Sequence, residues 1–259
     1  MVSLFITDID GCLSEVYQPY ALEGWKQLAA YARAAETDPA LPKLAVCSGR
    51  SGPYVEAVSQ ALGLNVFSLF EAGAGMINTR TGETRWNPNF DTQAEADMQA
   101  VQVWMKAEAM HQPDLAFDYG KRTQSGVVSA SEAALEAFRP RVEAFVAAHY
   151  PQFVVFHTRF SIDVVPQNTT KREGMMWIAE VMQTPQHKIA YIGDSVMDVE
   201  ALKGVGFPFA PANAVPDVKA LGIQTTMNPY LEGVLEAYEW CASWNRMKMF
   251  GRDTVPTGV

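Results

Sequence analysis

Along the first eighty residues, short apolar runs alternate with segments that are apolar on one helical face. Residues 4–6, 43–47 and 65–70 are nearly unbroken apolar runs of strand length, the pattern of strands buried on both faces. Between the first two, Leu22, Trp25, Leu28, Ala29 and Ala32 recur at helical spacing over 20–35, until Asp38-Pro39 and Leu41-Pro42 break the pattern. Val55, Val58 and Leu62 mark a second helix after residue 50. Strand, helix and strand at this spacing predict a βαβ unit with parallel strands. The third run ends at Gly73 and Gly75, which predict a loop at the same sheet edge.

From about Gly82 the pattern changes. Amphipathic helices are predicted over 92–110 (Met98, Val101, Trp104, Met105) and 131–149 (Leu135, Phe138, Val142, Phe145). Short strands are predicted at 115–119, 125–130, 153–156 and 161–165, with a turn at Gly120-Lys121-Arg122. This section reads as helices on a mostly antiparallel sheet with its own core. The βα pattern then resumes. A helix carries Met175, Met176, Ile178, Ala179 and Met182 and stops near Pro185, and strands follow at 188–192 and 205–209. Asn228 and Pro229 are expected as N-cap and first position of a last helix, whose buried stripe is Leu231, Val234, Leu235, Tyr238 and Cys241. Trp240 and Trp244 are expected to pack that helix, and 250–259 to fray. The expected fold is therefore α/β. Residues 1–81 and 166–259 form a doubly wound, mostly parallel, Rossmann-like sheet, and 82–165 form an inserted α+β domain. No internal repeat interrupts this scheme.

Composition narrows the partners. The 259 residues carry a net charge of −9, which argues against nucleic acid or an anionic membrane as the main partner. No apolar run reaches the roughly 18 residues needed to span a bilayer. The chain enters its first strand without a charged leader or cleavage site. Cys12, Cys47 and Cys241 are too few for a disulfide framework, so a reducing cytoplasm is expected, and no chemical role is assigned to them.

The chemistry gathers at strand ends. The first strand runs into Asp8, Asp10 and Gly11, the second into Ser48, Gly49 and Arg50, and the fourth into Asp194 and Asp198. Lys171 stands just before a helix. On an extended strand, residues two apart share a face, so Asp8 and Asp10 project together. In a doubly wound sheet all these positions fall at one edge. Asp8, Asp194 and Asp198 supply the hard oxygens that magnesium prefers. Ser48 and its helix N-terminus suit a phosphate, and Lys171 adds a point charge for phosphoryl oxygens. One carboxylate is left as a nucleophile and its neighbour as acid and base. Arg50 either reaches the phosphate or pairs with an acid.

This arrangement resembles the haloacid dehalogenase superfamily of phosphatases across the whole first domain. Residues 5–11 (Phe5-Ile6-Thr7-Asp8-Ile9-Asp10-Gly11) fit its first motif, hydrophobic-x-x-Asp-x-Asp-Gly. Residues 45–50 fit the second, an apolar strand ending in Ser/Thr-Gly-Arg. Lys171, with Gly174 rather than an immediate glycine, fits the third, and 192–198 fit the fourth, Gly-Asp-Ser/Gly-x-x-Asp. Phe207 to Lys219, with Asn213-Ala214, is similar to the stretch that follows it. The resemblance implies that Asp8 is the nucleophile and Asp10 the general acid and base. It implies Mg²⁺ on Asp8, the Asp10 carbonyl and Asp194, with Asp198 in support, and Ser48, Gly49, Arg50 and Lys171 around the phosphoryl group. Residues 11–47 leave no room for an insert, whereas 49–170 do, so the chain resembles the C2-capped, Cof-type branch that acts largely on sugar phosphates and other small phosphate esters. The cap would then close as a lid, and Lys121, Arg122, Arg159 and His157 are its candidates for reading the leaving group. One departure stands out: Ala72-Gly73-Ala74 replaces the usual Asn-Gly-Ala. The expectation is a Mg²⁺-dependent phosphatase of a small phosphorylated metabolite. A phosphomutase of a hexose phosphate is the first alternative and a catalytically silent binding protein the last.

Overall fold

The structure, a computed structural model, describes residues 1–251. The expectation of fraying over 250–259 therefore falls mostly outside the described residues. Among those described, five parallel strands form the main sheet in the order β12, β11, β10, β1, β2. In chain order the first elements are β1 (Leu4–Thr7), α1 (Leu22–Ala34), β2 (Lys43–Val46), α2 (Gly52–Leu62), β3 (Ser68–Phe70), β4 (Gly75–Asn78), β5 (Glu83–Trp86) and α3 (Thr92–Ala109). They continue with β6 (Ala116–Phe117), β7 (Ser125–Val128), α4 (Glu132–His149), β8 (Phe153–His157), β9 (Ser161–Pro166) and α5 (Lys171–Val181). The chain closes with β10 (Ile189–Ile192), α6 (Val199–Gly204), β11 (Phe207–Ala210), α7 (Pro216–Lys219), β12 (Gln224–Thr225) and α8 (Tyr230–Met249).

The central strand β1 is apolar throughout because both its faces are covered. Phe5 packs into a core with α1, α2 and α8, while Leu4 and Ile6 face a second core with α5 and α6. Its register with both neighbours is in phase: Leu4 pairs with Lys43 and Ile189, and Thr7 with Val46 and Ile192. The three strands therefore end level, and whatever follows each of them meets at one edge. Residues 161–166 instead lie in a second sheet, ordered β6, β7, β9, β8 and antiparallel throughout. There Ile162 and Val164 enter a third core with α3 and α4, so the alternate residues Ser161 and Asp163 face the other way.

Some expectations change. The third strand is Ser68–Phe70 rather than 65–70, and it is not a full member of the parallel sheet. It touches β2 through one isolated bridge, Cys47 to Leu69, because Val46 N–H donates to the Ser68 side chain (3.3 Å) where a ladder would use a backbone carbonyl. Its ladder partner is β4, in an antiparallel sheet with β5. Strand β5 lies beyond the expected border at 82 and still pairs with β4. The last helix is not capped by Asn228, whose N–H and side-chain amide go to Glu236 (3.2 and 3.1 Å). Its first residue, Tyr230, donates instead to Asn213 Oδ1 (2.8 Å), and Asn213 Nδ2 donates to the Gly11 carbonyl (2.9 Å). Trp240 and Trp244 do pack, stacked with centroids 5.7 Å apart.

The turn after β3 is a backbone contact point. Glu71, Ala72 and Gly73 all adopt positive φ (46°, 54° and 92°). This presses Gly73 against Gly174 on the first turns of α5, where a Cβ on either glycine would overlap the other's Cα. That contact sets where Lys171 begins its helix. A Gly174→Ala substitution should therefore destabilise by about 1–3 kcal/mol, as overpacking against immovable backbone does. Denaturant melts check this; an unchanged midpoint would show that the two backbones can part freely.

Candidate active site

Asp8 is the first residue past β1. Its backbone continues the ladder to the Ile192 carbonyl (3.0 Å), and its carboxylate accepts from Ile9 N–H (2.7 Å) and from Lys171 Nζ (2.5 Å). The chain then turns tightly, with Ser14 N–H and Cys12 N–H both on the Ile9 carbonyl. Gly11 sits at φ 82°, and a Cβ there would fall on the Asp194 carboxylate, so glycine is required both by the turn and by the approach of the fourth strand's loop.

Lys171 is 2% exposed and lies between two carboxylates, with Nζ 2.6 Å from Asp198 Oδ1. Asp198 is fully buried and fully engaged. Its Oδ1 also accepts from the Tyr191 hydroxyl, and its Oδ2 accepts from Asp194 N–H (3.2 Å), Ser195 N–H (2.9 Å) and Ser195 Oγ (2.8 Å). It thus folds the 193–198 loop onto Lys171 and aims Asp194 at Asp8. Carboxylate oxygens of Asp8, Asp194 and Asp198 lie within 4.8 Å of one another. Asp194 Oδ1 is buried without a hydrogen-bond partner.

Three carboxylates against one ammonium leave an excess of negative charge away from water. Burial, opposed by Lys171 and reinforced by Asp198, raises Asp8 to about 7. Burial, reinforced by Asp198 and Asp8, raises Asp194 to about 8. Asp198 is driven up by burial too, but Lys171 and the Tyr191 and Ser195 donors hold it below the usual carboxylate range. Lys171, despite burial, is raised by the same two acids. Hard oxygens, a surplus of charge and an unpartnered buried oxygen fit a divalent cation of the magnesium type.

Beside this cluster, Ser48 is buried at the end of β2, and its Oγ accepts from Arg50 N–H (3.2 Å). Arg50 grips Asp10 with two hydrogen bonds (2.6 and 2.8 Å), its guanidinium lying over the rings of Tyr54 and Tyr17 (5.0 and 5.8 Å). The acid that sequence left open for Arg50 is thus Asp10. Asp8, Asp10, Ser48, Gly49, Arg50, Lys171 and Asp194 border one cavity of about 370 Å³. Asp198 stands behind them.

The opposite wall comes from the second sheet. Lys121, His157 and Arg159 border the cavity. Arg122 does not: it is exposed, pairs with Glu95 (2.8 Å) and lies over Trp86 (4.6 Å), because adjacent loop residues point apart. Lys121 is no free cation, since Asp163 and Asp118 flank it at 2.6 and 3.3 Å. Sequence reasoning missed Asp118, Gln124 and Asp163 on this wall, and Tyr191 beneath Asp198. Asp163 was detectable as an acid alternating with Ile162 and Val164. It also missed Glu71, whose carboxylate accepts from Thr123 N–H and Oγ (2.6 Å each) and ties the first domain to the cavity's far wall.

With this geometry in place, comparison with known proteins adds three kinds of likeness. A family model described as haloacid dehalogenase-like hydrolase matches residues 106–237. A phosphoglycolate phosphatase of Methanothermobacter thermautotrophicus is 27% identical over 124 residues, 48% of this chain and 56% of that protein. The match thus spans little more than half of that relative. In fold, the chain is similar to a Thermoplasma acidophilum protein (TM-score 0.73, 17% identity, covering 93% of this chain and 98% of that one). It is also similar to a Synechocystis sucrose-phosphatase solved with sucrose and phosphate (TM-score 0.65, 14% identity, 93% and 98% covered).

The raised acids give a signed pH dependence. An acid with a raised folded pKa stabilises the fold fully below its unfolded value and loses that contribution as pH rises through the folded one. Without metal, the melting temperature should therefore fall as pH climbs from the ordinary carboxylate range near 3.8 to the 7–8 region set by Asp8 and Asp194, and level off above it. Magnesium needs both acids deprotonated, so the stabilisation it adds should grow over the same interval. Melts in chelator and in magnesium check this; a magnesium increment independent of pH would contradict it.

Proposed function

Because this chain belongs to the haloacid dehalogenase-like hydrolases, we propose that it is a magnesium-dependent phosphomonoesterase acting on a small phosphorylated metabolite of the sugar-phosphate type. The observation that carries this reading is the meeting of Asp8, Lys171 and Asp194 at one cavity. In this reading the Asp8 carboxylate attacks phosphorus, forming an aspartyl-phosphate as the ester P–O bond breaks. Asp10, once it turns from Arg50 and takes up a proton from solvent, gives that proton to the departing alkoxide and regains one from the water that attacks the phosphoryl group. Inorganic phosphate leaves and Asp8 is restored. Lys171 and Ser48 hold phosphoryl oxygens, and Asp198 keeps Lys171 and the 193–198 loop in place. Asp8, Asp194 and the Asp10 carbonyl would hold magnesium, which neutralises the phosphate's charge and lets a carboxylate approach it.

The insert, expected over 82–165, is proposed to serve as the lid that excludes water. Tyr17 and Phe160, which both line the cavity, meet edge-to-face with centroids 6.0 Å apart. A cavity of about 370 Å³ suits a leaving group of sugar size or smaller. Among the described residues no helix is long and apolar enough to cross a membrane, and all three cysteines are free and buried. Both facts are compatible with work in the cytoplasm.

Phosphate release from a panel of phosphorylated metabolites, with magnesium and with chelator, tests the proposal. Release should require the metal. Asp8→Asn should abolish it, and Asp10→Asn should lower it by about 10²–10⁴-fold, the usual worth of an acid–base group. Unchanged hydrolysis by Asp8→Asn would contradict the nucleophile assignment, and rearrangement without phosphate release would favour a mutase.

A further inference from the structure

The turn after β3 joins the phosphate side of the cavity to its far wall. Glu71 N–H donates to the Arg50 carbonyl (2.8 Å) and Ala72 N–H to the Ser48 carbonyl (2.9 Å), so the turn is bonded to the loop expected to hold phosphate. Gly73 presses on Gly174, within the first turns of the helix that Lys171 opens. The Gly73 carbonyl accepts from Asn87 Nδ2 (3.3 Å), which stands where the chain leaves β5 for α3. Glu71 and Ala72 hold φ of 46° and 54°, values that residues with a Cβ keep only where their surroundings enforce them.

What this turn aims is the Glu71 carboxylate. Glu71 is 2% exposed, and among the described residues every hydrogen bond to its carboxylate comes from the loop 118–124. The donors are Arg122 N–H (3.0 Å), Thr123 N–H and Thr123 Oγ (2.6 Å each), and Thr123 is itself fully buried. A buried carboxylate is costly without donors and firmly held with several charge-assisted ones. The loop is tied to its own body through other atoms. Gln102 Nε2, on α3, donates to the carbonyls of Lys121, Arg122 and Gln124 (3.1, 3.4 and 2.8 Å), and Asp118 N–H donates to the Gly126 carbonyl (2.9 Å). Loop and third core therefore move together, and any movement of that body away from the main sheet must break the bonds to Glu71. The chain crosses between the two bodies at 87–91 and 167–170. There each of Asn89 and Asn168 donates its side-chain amide to the other's carbonyl (3.3 and 2.8 Å), which joins the crossings into one pivot.

We propose that Glu71 is a positioning residue whose carboxylate latches the loop 118–124, and with it the wall facing the leaving group, onto the phosphate side of the cavity. Closure brings the Arg122 and Thr123 donors onto the carboxylate, and opening about Asn89 and Asn168 returns it to water. Because the backbone of Glu71 is bonded to Arg50, the place of the wall is set from the phosphate loop and not from the insert alone. The inference rests on the lid reading and names the contact that reading needs.

Amide hydrogen exchange of the full-length protein tests the latch without requiring turnover. Glu71→Gln and Thr123→Val should each speed exchange across 119–124 by at least about tenfold, the worth of one hydrogen bond to a charged group. The double variant should speed it by less than the product of the two, since both act through one contact. Thr123→Ser keeps the hydroxyl and should match the unaltered protein, and exchange in α4 and β8 should not change. Unchanged exchange in Glu71→Gln, or acceleration that extends equally to α4 and β8, would overturn the latch. With magnesium, Glu71→Gln should raise KM for p-nitrophenyl phosphate by at least about fivefold, and the inhibition constant of inorganic phosphate, whose expected contacts lie in the first domain, should stay within about twofold. Equal shifts in both would overturn the positioning role. The lid reading is tested apart. A Cβ on Gly120 would lie 3.2 Å from Ser51 Cβ, close to disulfide spacing, and the natural cysteines are buried, so Ser51→Cys with Gly120→Cys staples the loop to the first domain. Turnover lost on oxidation and regained with reductant supports the lid, and full turnover by the oxidised protein would end that reading. If neither p-nitrophenyl phosphate nor any panel ester is hydrolysed, the phosphatase reading falls and exchange alone decides the latch.

Discussion

The structure depends on a charge imbalance that its main sheet creates. Three strands in phase end level with one another, and two of them run into aspartates. One lysine, buried at the start of α5, sits between Asp8 and Asp198 and neutralises only part of that charge. Taking several carboxylates out of water is costly unless cations accompany them. Each nearby feature follows from that cost. The Tyr191 hydroxyl and the Ser195 donors spread the charge of Asp198, and Arg50 takes Asp10. Asp194 is left with an oxygen that nothing in the protein satisfies.

The supporting parts are backbone contacts more than side-chain ones. Gly11 admits the Asp194 loop, Gly73 and Gly174 let α5 approach the turn after β3, and Asn213 joins the start of α8 to the carbonyl of Gly11. These place Lys171 and Asp194 with little freedom, which an ion-binding or phosphoryl-binding cluster requires. Glu71 extends the same logic across the cavity by fixing the loop of the far wall to the first domain. The two walls are thereby built as one site although their cores are separate.

Much of this was legible in the chain. Strands β1, β2 and β10 are apolar because both faces are buried, and each ends in polar residues whose spacing implies a shared edge. The helices show their buried faces at regular intervals. The hairpin β4–β5 left no signal, because β5 is exposed along its whole length and shows no alternation. Asn228 and Pro229 offered a plausible local cap, yet Asn213, 17 positions before Tyr230, took that role. The far wall was the least legible part. Lys121 finds Asp163 across 42 positions, and no local pattern reports such a pairing. Arg122, next to it and equally basic, turns away to Glu95. Local sequence thus marked the charged residues correctly as a group and sorted them poorly, since a loop has no period from which to read direction.

The central claim is that Asp8 and Asp194 share one divalent cation while Asp198 stays bound to protein donors. Anomalous diffraction from crystals soaked in manganese tests it most directly. The account predicts a single strong peak between the Asp8 and Asp194 carboxylates, with Lys171 still on Asp198. A peak elsewhere, or none with both acids reachable from solvent, would contradict it.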